Sequence, residues 1–372
     1  MPNKIIWPHY DESILGIPNA LLRHYGAAAA HATLPTLDVL LAKGYKNVVF
    51  IVFDGMGCDM LRANLPPDAF LNRHIAQDIL SVCPSTTTAA ITAFESGLSP
   101  LEHGWLGWSC YFKEIDKCVD LFSSNDRATG QSAAVNHMAN THMPYTFIGD
   151  KIKAAADDVT VSRVSPFSQT HYAGTVSEAC THIRTICRQP GRQFIYTYHN
   201  QPDYDMHDHG CYAEPIKQLM RRINSEVERL CNTLTDTLVI ISADHGLIDS
   251  AEANLDDYPD ISECLTMPPS VDSRCLSFFV KDGMADTFAA RFNKQFSEDF
   301  ILLTKAEALA RGIFGTGTPH KKALDFIGDF VAVAAGTTRL ICGATNPHPF
   351  KAMHAGLTAQ EMIVPLILIE KE

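Results

Sequence analysis

The chain has 372 residues, of which 46% are hydrophobic and 19% are charged, proportions that are typical of a globular protein and argue against disorder. Its 42 acidic and 30 basic residues give a formal net charge of −12, which argues against partners such as a nucleic-acid polymer or an anionic membrane. The N-terminus lacks the apolar core of a signal peptide, and no run approaches the roughly 18 apolar residues of a membrane helix. With 11 cysteines and no Cys-x-x-Cys pair, we expect a cytoplasmic protein with reduced thiols.

Strand-like apolar runs alternate with helical patterns along the chain. The runs cover 47–53, 78–83, 144–148, 194–198, 237–243, 276–280, 331–335, 338–342 and 363–369. The clearest helix is predicted over 214–234, where apolar residues recur every three or four positions. This alternation predicts an α/β fold with a doubly wound, mostly parallel sheet sandwiched by helices. The chain exceeds the roughly 250–300 residues at which a single core usually stops growing, so we expect one domain over 1–372 that carries an insertion, or two lobes.

Residues 250–275 break the pattern. An acidic stretch there runs into Met267-Pro268-Pro269-Ser270 without a helical or strand period. A long segment of this kind is either a small lid over a site or a solvated surface insertion.

Aspartates and histidines follow three of the predicted strands, at the point where each strand ends. They are Asp54, Asp203, His207, Asp244 and His245. Because the carboxyl ends of parallel strands meet at one edge of a sheet, we expect these side chains to converge. Mixed oxygen and nitrogen ligands suit Zn²⁺, or less selectively Mn²⁺ or Fe. The number of candidate ligands exceeds the number that one tetrahedral ion binds. The sequence therefore predicts two divalent metal ions.

A hydroxyl-rich segment, Ser85-Thr86-Thr87-Thr88, opens a predicted helix that ends before Gly97. A hydroxyl at a helix N-terminus lies near unpaired amide N–H groups and the positive end of the dipole, where an alkoxide or phosphate oxygen is favoured. Serine and threonine are also preferred helix caps. Three consecutive threonines leave one for the cap and one for chemistry.

Four short motifs occur in a fixed order along the chain. They are Asp54-Gly55; Pro84-Ser85-Thr86-Thr87-Thr88 with Ser96-Gly97 and His103-Gly104; Pro202-Asp203-x-x-x-His207; and Ala243-Asp244-His245-Gly246. In this order and spacing, over roughly 45–370, the chain resembles the alkaline phosphatase superfamily, and within it the nucleotide pyrophosphatase/phosphodiesterase (type I phosphodiesterase) branch. The resemblance implies a metal-dependent hydrolase that cleaves a phosphodiester or phosphoanhydride in a small phosphorylated substrate.

The resemblance also assigns residues. It implies that Asp203 and His207 bind one zinc, that Asp54, Asp244 and His245 bind the other, and that Thr87 is both the nucleophile and a metal ligand. The remaining ligand of the first zinc is expected at His354, with His348 and His320 as competitors. Attack of Thr87 on phosphorus would give a phosphothreonine that water then hydrolyses.

Two departures from the family pattern leave the substrate open. Ala90 stands where the family has an asparagine, and Thr86 where it has a lysine. The alternatives are a phosphomonoesterase or phosphonate hydrolase on the same two-metal core, and a non-catalytic metal-binding protein. Arg274 is the one basic residue that could fold over the site. The oligomeric state is open as well.

Three aromatic residues follow His103-Gly104, where the family's substrate-side loop lies. They are Trp105, Trp108 and Tyr111. As substrate-binding residues they would stack on a base or enclose a cation. A packed hairpin accounts for them equally well, since such side chains also occur in protein interiors.

Overall fold

The computed structural model describes residues 4–343 and 348–372. Its strands are β1 (Asn47–Phe53), β2 (Ile75–Leu80), β3 (Ser109–Phe112), β4 (Lys117–Asp120), β5 (Asn125–Asp126), β6 (Val159–Val164), β7 (Arg192–His199), β8 (Thr237–Ser242), β9 (Ile248–Asp249), β10 (Ala251–Asn254), β11 (Ser270–Asp272), β12 (Cys275–Phe278), β13 (Phe300–Thr304), β14 (Phe330–Ala334), β15 (Thr338–Ile341), β16 (Ala352–Met353) and β17 (Ile363–Lys371). Its helices are α1 (Gly16–His24), α2 (Pro35–Leu41), α3 (Cys58–Asn64), α4 (Phe70–Arg73), α5 (Thr87–Ser96), α6 (Pro100–His103), α7 (Met138–His142), α8 (Ile148–Ala155), α9 (Val176–Cys187), α10 (Asp203–His209), α11 (Glu214–Cys231), α12 (Pro259–Ser262), α13 (Ala285–Phe296), α14 (Lys305–Ala310), α15 (Lys321–Phe326) and α16 (Ala359–Met362).

The first sheet has the strand order β2-β17-β8-β1-β7-β6. Strands β8, β1, β7 and β6 are parallel, and β17 runs antiparallel to both of its neighbours. Every residue of β1 and β8 is buried, as parallel strands covered on both faces by helices require. The predicted α/β fold with a central, mostly parallel sheet is confirmed.

Helices cover this central sheet. Helices α1, α5 and α8 contact one another, and α11 contacts α3, α4 and α9. The apolar stripe predicted within 214–234 is the buried face of α11, with Ile216, Met220, Ile223 and Val227 in the core. No helix among the described residues is long and apolar enough to cross a membrane. All 11 cysteines are free.

A second sheet has the order β13-β14-β12-β11-β3-β4-β5, and its strand pairs are antiparallel. The apolar runs 276–280 and 331–335, which we expected in a doubly wound arrangement, form β12 and β14 of this sheet. The run 338–342 forms β15, which pairs with β10 alone. Short apolar runs indicate burial but do not specify a pairing partner, so the sequence did not reveal the second sheet.

The strand predicted over 144–148 is wrong. This apolar run leads into α8, with Ile148 as its buried first residue. A run of this length cannot be distinguished from a buried helix end by periodicity alone. The strand predicted over 78–83 is shifted, since β2 covers Ile75–Leu80.

The segment 250–275 is structured. It contributes β10 and α12, and its strand β11 lies in the second sheet between β12 and β3. Leu255, Ile261 and Cys264 in this segment are buried beneath the phenylalanines of α13. Its role as a lid and the extent of the single domain stay predictions.

Candidate metal and nucleophile site

The ends of three neighbouring parallel strands bring the predicted aspartates together. Asp54 follows β1 directly; its N–H donates to the carbonyl of His199 at the end of β7 (3.0 Å), and its carbonyl accepts from the N–H of Asp203 (3.0 Å). Asp244 follows β8, the other neighbour of β1. The three residues are 3%, 8% and 0% exposed, respectively. Sheet topology therefore places three carboxylates in one buried cluster.

Two motif glycines allow this close approach. Gly55 has φ +72°, its N–H donates to Asp244 Oδ1 (3.0 Å), and a Cβ at this position would lie 2.9 Å from Cβ of Asp203. A Cβ at Gly246 would lie 1.9 Å from the carbonyl oxygen of Gln360. The backbone therefore approaches its neighbours where a side chain has no room.

His354 reaches the cluster through a short strand pair, β9 with β16. Because β9 lies just after His245 and β16 ends just before His354, the two imidazole rings stack at 3.9 Å between centroids. His207 is tied to the same strand, since its Nδ1 donates to the carbonyl of Ala352 (2.8 Å). Donation from Nδ1 directs Nε2 towards Asp203 Oδ2, at 3.1 Å.

The two competing histidines lie elsewhere. His320 precedes α15, and its Nδ1 accepts from the N–H of Lys322 (3.1 Å). His348 is exposed. The structure therefore brings His354, and neither competitor, to the cluster.

Six side chains form two overlapping groups with the chemistry of metal ligands. Ligand atoms of Asp54, Asp244 and His245 lie within 4.8 Å of one another, as do those of Asp203, His245 and His354, and His207 adjoins the second group. Four of the buried ligand atoms have no hydrogen-bond partner among the described residues: Asp54 Oδ1, Asp203 Oδ1, Asp244 Oδ2 and His354 Nδ1. Buried polar atoms are normally paired, so this donor set fits divalent cations.

The electrostatics of the cluster support the same conclusion. Burial raises the pKa of Asp54 well above its ordinary value, and the charges of Asp244 and Asp203 raise it further. Burial and the neighbouring His245 lower the pKa of His354, which keeps it the neutral imidazole that binds metals. A divalent cation bound to these carboxylates would favour their charged forms.

The neighbouring side chains of His207 and Asp203 shift each other's pKa within the cluster. Burial lowers the pKa of His207, but the charge of Asp203 outweighs that effect and raises it to about 9. Burial likewise raises the pKa of Asp203, and the charge of His207 outweighs this and lowers it. The opposite directions are those expected of one charged pair.

Thr87 is the first residue of α5 and is 7% exposed. Its Oγ1 lies 3.2 Å from Nε2 of His245, while Nδ1 of the same ring donates to the carbonyl of Gly246 (3.1 Å). The same Nε2 is 3.5 Å from Asp54 Oδ1 and 3.3 Å from Asp244 Oδ2. The Thr87 hydroxyl therefore reaches the centre of the predicted ligand set.

The neighbouring hydroxyls point elsewhere. Ser85 Oγ donates to the carbonyl of Gly356 (2.8 Å), and Thr86 Oγ1 donates to Asp272 Oδ2 (3.0 Å). Thr88 Oγ1 is buried and has no partner among the described residues. The structure therefore separates Thr87 from the other three.

The sequence of the chain matches a known protein family. The family model for type I phosphodiesterase / nucleotide pyrophosphatase matches residues 48–336, which is well over half of the chain. The chain belongs to this family of enzymes. A search of curated proteins finds no match.

Solved structures show the same fold. Murine ectonucleotide pyrophosphatase/phosphodiesterase 5 has a TM-score of 0.65 at 16% identity, over 86% of this chain and 87% of that one. The human counterpart has a TM-score of 0.65 at 16% identity, over 87% of each chain. Phosphonoacetate hydrolase from Sinorhizobium meliloti 1021, in complex with phosphonoformate, has a TM-score of 0.63 at 16% identity, over 87% of this chain and 90% of that one. An inactive variant of the murine protein is in complex with AMP.

Tyr198 is a site residue that sequence reasoning missed. It is the penultimate residue of β7, and its hydroxyl donates to Asp54 Oδ2 at 2.5 Å. Within an apolar strand it looks like a core residue. Its position next to the carboxyl end of a central strand was the available signal.

The aromatic residues after His103 differ in their surroundings. Trp105 is 3% exposed, and its indole N–H donates to the carbonyl of Met143 (2.9 Å). It lies in the hydrophobic core beside the second sheet, which argues against a substrate contact. The Tyr111 hydroxyl donates to Asp116 within the β3–β4 hairpin (2.7 Å). Trp108 is 49% exposed beside Phe122 and stays a predicted contact.

Arg274, the one candidate for a basic residue over the site, does not fold over it. It is fully buried, and its guanidinium forms two hydrogen bonds with Glu361 (2.6 and 2.8 Å). Glu361 Oε1 also accepts from the N–H of Gly356 (2.8 Å), two residues after His354. The ion pair therefore holds the loop that carries a predicted ligand.

Proposed function

We propose that the chain is a two-metal phosphohydrolase that cleaves a phosphodiester or phosphoanhydride through a phosphothreonine on Thr87. The supporting observation is the position of the Thr87 hydroxyl at the start of a helix, 3.2 Å from His245 Nε2 and among buried carboxylates with unpaired oxygens. Membership of the type I phosphodiesterase family supports the reaction class.

The side chains divide into two ligand sets. Asp54, Asp244, His245 and Thr87 would hold one divalent cation, and Asp203, His207 and His354 the other. Zinc suits this mixed set best, with manganese or iron as alternatives. When bound, two such ions stabilise the charge that develops on the attacking and leaving oxygens of an in-line displacement.

Thr87 performs the covalent step. Its hydroxyl releases a proton to solvent water, its Oγ1 forms a bond to phosphorus, and the bond from phosphorus to the leaving oxygen breaks, after which that oxygen takes up a proton from solvent water. Water then attacks the phosphothreonine, releasing the phosphoryl product and restoring the Thr87 hydroxyl. The positive end of the α5 dipole favours the anionic phosphoryl group throughout.

The proposed preference is for a diester over a monoester. A monoester dianion carries one more charge and is best received by an additional cation such as arginine. Arg274, the candidate for that role, is committed to Glu361. The proposed substrate is therefore a small phosphorylated molecule with an organic group on each side of the phosphorus, or a phosphoanhydride.

The test is a rate panel on zinc-loaded protein with bis(4-nitrophenyl) phosphate, 4-nitrophenyl phosphate and an aryl alkylphosphonate, and with Thr87→Ala as the matched background. We expect the highest kcat/KM for the diester. A kcat/KM for the monoester at least tenfold above that for the diester, about 1.4 kcal/mol in transition-state free energy, would make the protein a phosphatase instead. Two bound zinc ions without turnover of any ester would indicate a non-catalytic metal-binding protein.

A further inference from the structure

Asp272 is a buried carboxylate next to the nucleophile segment to which the proposed reaction gives no role. It is the last residue of β11 in the second sheet and is 8% exposed. Its Oδ1 accepts from the N–H of Ser273 (2.8 Å), and its Oδ2 accepts from the hydroxyl of Thr86 (3.0 Å). Asp272 therefore contacts the residue directly before Thr87.

Thr86 occupies the N-cap position of α5 but does not cap the helix with its side chain. Its backbone is extended, with φ −138° and ψ 149°, and its carbonyl accepts from the N–H of Ala90 (2.9 Å). A threonine at this position ordinarily accepts a hydrogen bond from the N–H of the second or third helical residue. Here the hydroxyl turns to Asp272 instead.

The amide N–H groups in the first turn of α5 are consequently not capped by the Thr86 side chain. Among the described residues, the N–H groups of Thr87, Thr88 and Ala89 meet no acceptor. They lie beside Thr87 Oγ1, where the phosphoryl oxygens of a substrate would be. Ala90 lacks the side-chain donor that the family's asparagine supplies, so these N–H groups are the available replacement.

The backbone around Asp272 is built to hold it in place. Val271 has φ +82°, a conformation that β-branched residues rarely adopt. Gly107 packs directly against it, since a Cβ at Gly107 would lie 2.6 Å from the carbonyl oxygen of Val271. A conformation of this kind persists only where its surroundings determine it.

We propose that Asp272 is a positioning residue that holds the Thr86 hydroxyl away from α5 and so leaves the N–H groups of Thr88 and Ala89 for a non-bridging phosphoryl oxygen. The inference rests on the proposed function. It predicts an effect on kcat rather than on KM, because these donors matter most where charge develops in the transition state.

The test compares Asp272→Ala with Thr86→Val/Asp272→Ala on zinc-loaded protein and a diester substrate. In Asp272→Ala the released Thr86 hydroxyl caps the helix and occupies the donors, so kcat should fall at least tenfold while KM stays within threefold. In the double variant no hydroxyl competes, and kcat should return to within threefold of wild type. A merely structural loss at position 272 would not be restored by a second substitution.

Further variants and readouts decide between the explanations. Asp272→Asn keeps an acceptor for Thr86 and should retain kcat within threefold, which tests the inference even where Asp272→Ala does not fold. Zinc content and thermal unfolding verify each variant. A double variant as slow as Asp272→Ala, an unimpaired Asp272→Ala, or an Asp272→Asn slowed tenfold would each overturn the inference. Zinc-loaded wild type without any turnover would instead overturn the proposed function, and this inference with it.

Discussion

At the scale of single residues, the site depends on which groups each hydroxyl or carboxylate contacts. Thr86, Thr87 and Thr88 are adjacent and all buried, yet only the Thr87 hydroxyl, among these three, lies within 3.2 Å of His245. Thr86 precedes the helix with an extended backbone, and Thr87 and Thr88, as successive helical residues, point about 100° apart. The geometry therefore supports Thr87, rather than Thr86 or Thr88, as the proposed nucleophile.

The first prediction concerns Thr87. Thr87→Ala removes the attacking oxygen but keeps the aspartate and histidine ligands, so turnover of a diester should fall by about 10³-fold or more while the fold persists. Thr87→Ser should keep measurable activity. Thr88→Ala is the matched control, and a dead Thr88→Ala beside an active Thr87→Ala would show that the nucleophile is misplaced.

A second prediction at this scale concerns metal content. Asp203→Asn removes a charge from a buried predicted ligand, so zinc bound per chain, measured by elemental analysis after zinc addition and dialysis, should fall from about two towards one. Asp208→Asn is the matched control, because Asp208 is exposed on the same helix. Equal zinc content in Asp203→Asn and Asp208→Asn would contradict the ligand assignment.

At the scale of elements, the loop between β16 and α16 positions His354. One side of the loop pairs with β9, and the other is held by Glu361, whose Oε2 accepts from the Thr358 hydroxyl (2.6 Å). Arg274 neutralises Glu361 from β11–β12 in the second sheet. The position of the predicted ligand His354 thus depends on a charge contributed by the second sheet.

This arrangement predicts a large loss of stability in Arg274→Met. The substitution leaves the buried carboxylate of Glu361 without its counter-charge, which typically costs about 3–5 kcal/mol of unfolding free energy. Urea denaturation of the two proteins measures the difference. Arg291→Met is the control, since its ion pair with Glu263 is largely exposed and its loss should matter far less. Comparable effects of the two substitutions would contradict the role given to Arg274.

At the scale of the whole molecule, the site lies where the two sheets meet. The carboxyl edge of the first sheet supplies the predicted metal ligands, and the second sheet supplies Asp272 and Arg274 behind them. A cytoplasmic location stays a prediction.

Removal of metal should destabilise the molecule as a whole. The cluster contains Asp54, Asp203 and Asp244, whose mutual repulsion in a buried site bound cations would offset. Treatment with a chelator should therefore lower the thermal unfolding midpoint and abolish turnover, and added zinc should restore both, because a ligand of the native state stabilises it. His245→Ala is the control and should show a much smaller zinc-dependent shift. An unchanged midpoint in wild type with and without zinc would contradict a metal-bound native state.

The sequence by itself determined the elements and the edge at which the chemistry gathers. The apolar runs of β1, β7 and β8, each followed by an aspartate, were sufficient to predict that Asp54, Asp203 and Asp244 converge, because parallel strands present their carboxyl ends together. The recurrence of apolar residues every three or four positions predicted helix α11 equally clearly. These features are local or follow from a general rule of topology.

Only the tertiary structure decided which distant groups meet. In the tertiary structure β12 and β14 pair in an antiparallel sheet, and His354 lies at the cluster while His320 and His348 do not. Trp105 is buried, and Arg274 forms an ion pair with Glu361. The Thr86 hydroxyl also turns towards Asp272 rather than towards its own helix. An apolar run signals burial but not its neighbour, and the partner of a charged or hydroxyl group depends on contacts across the fold that no local pattern specifies.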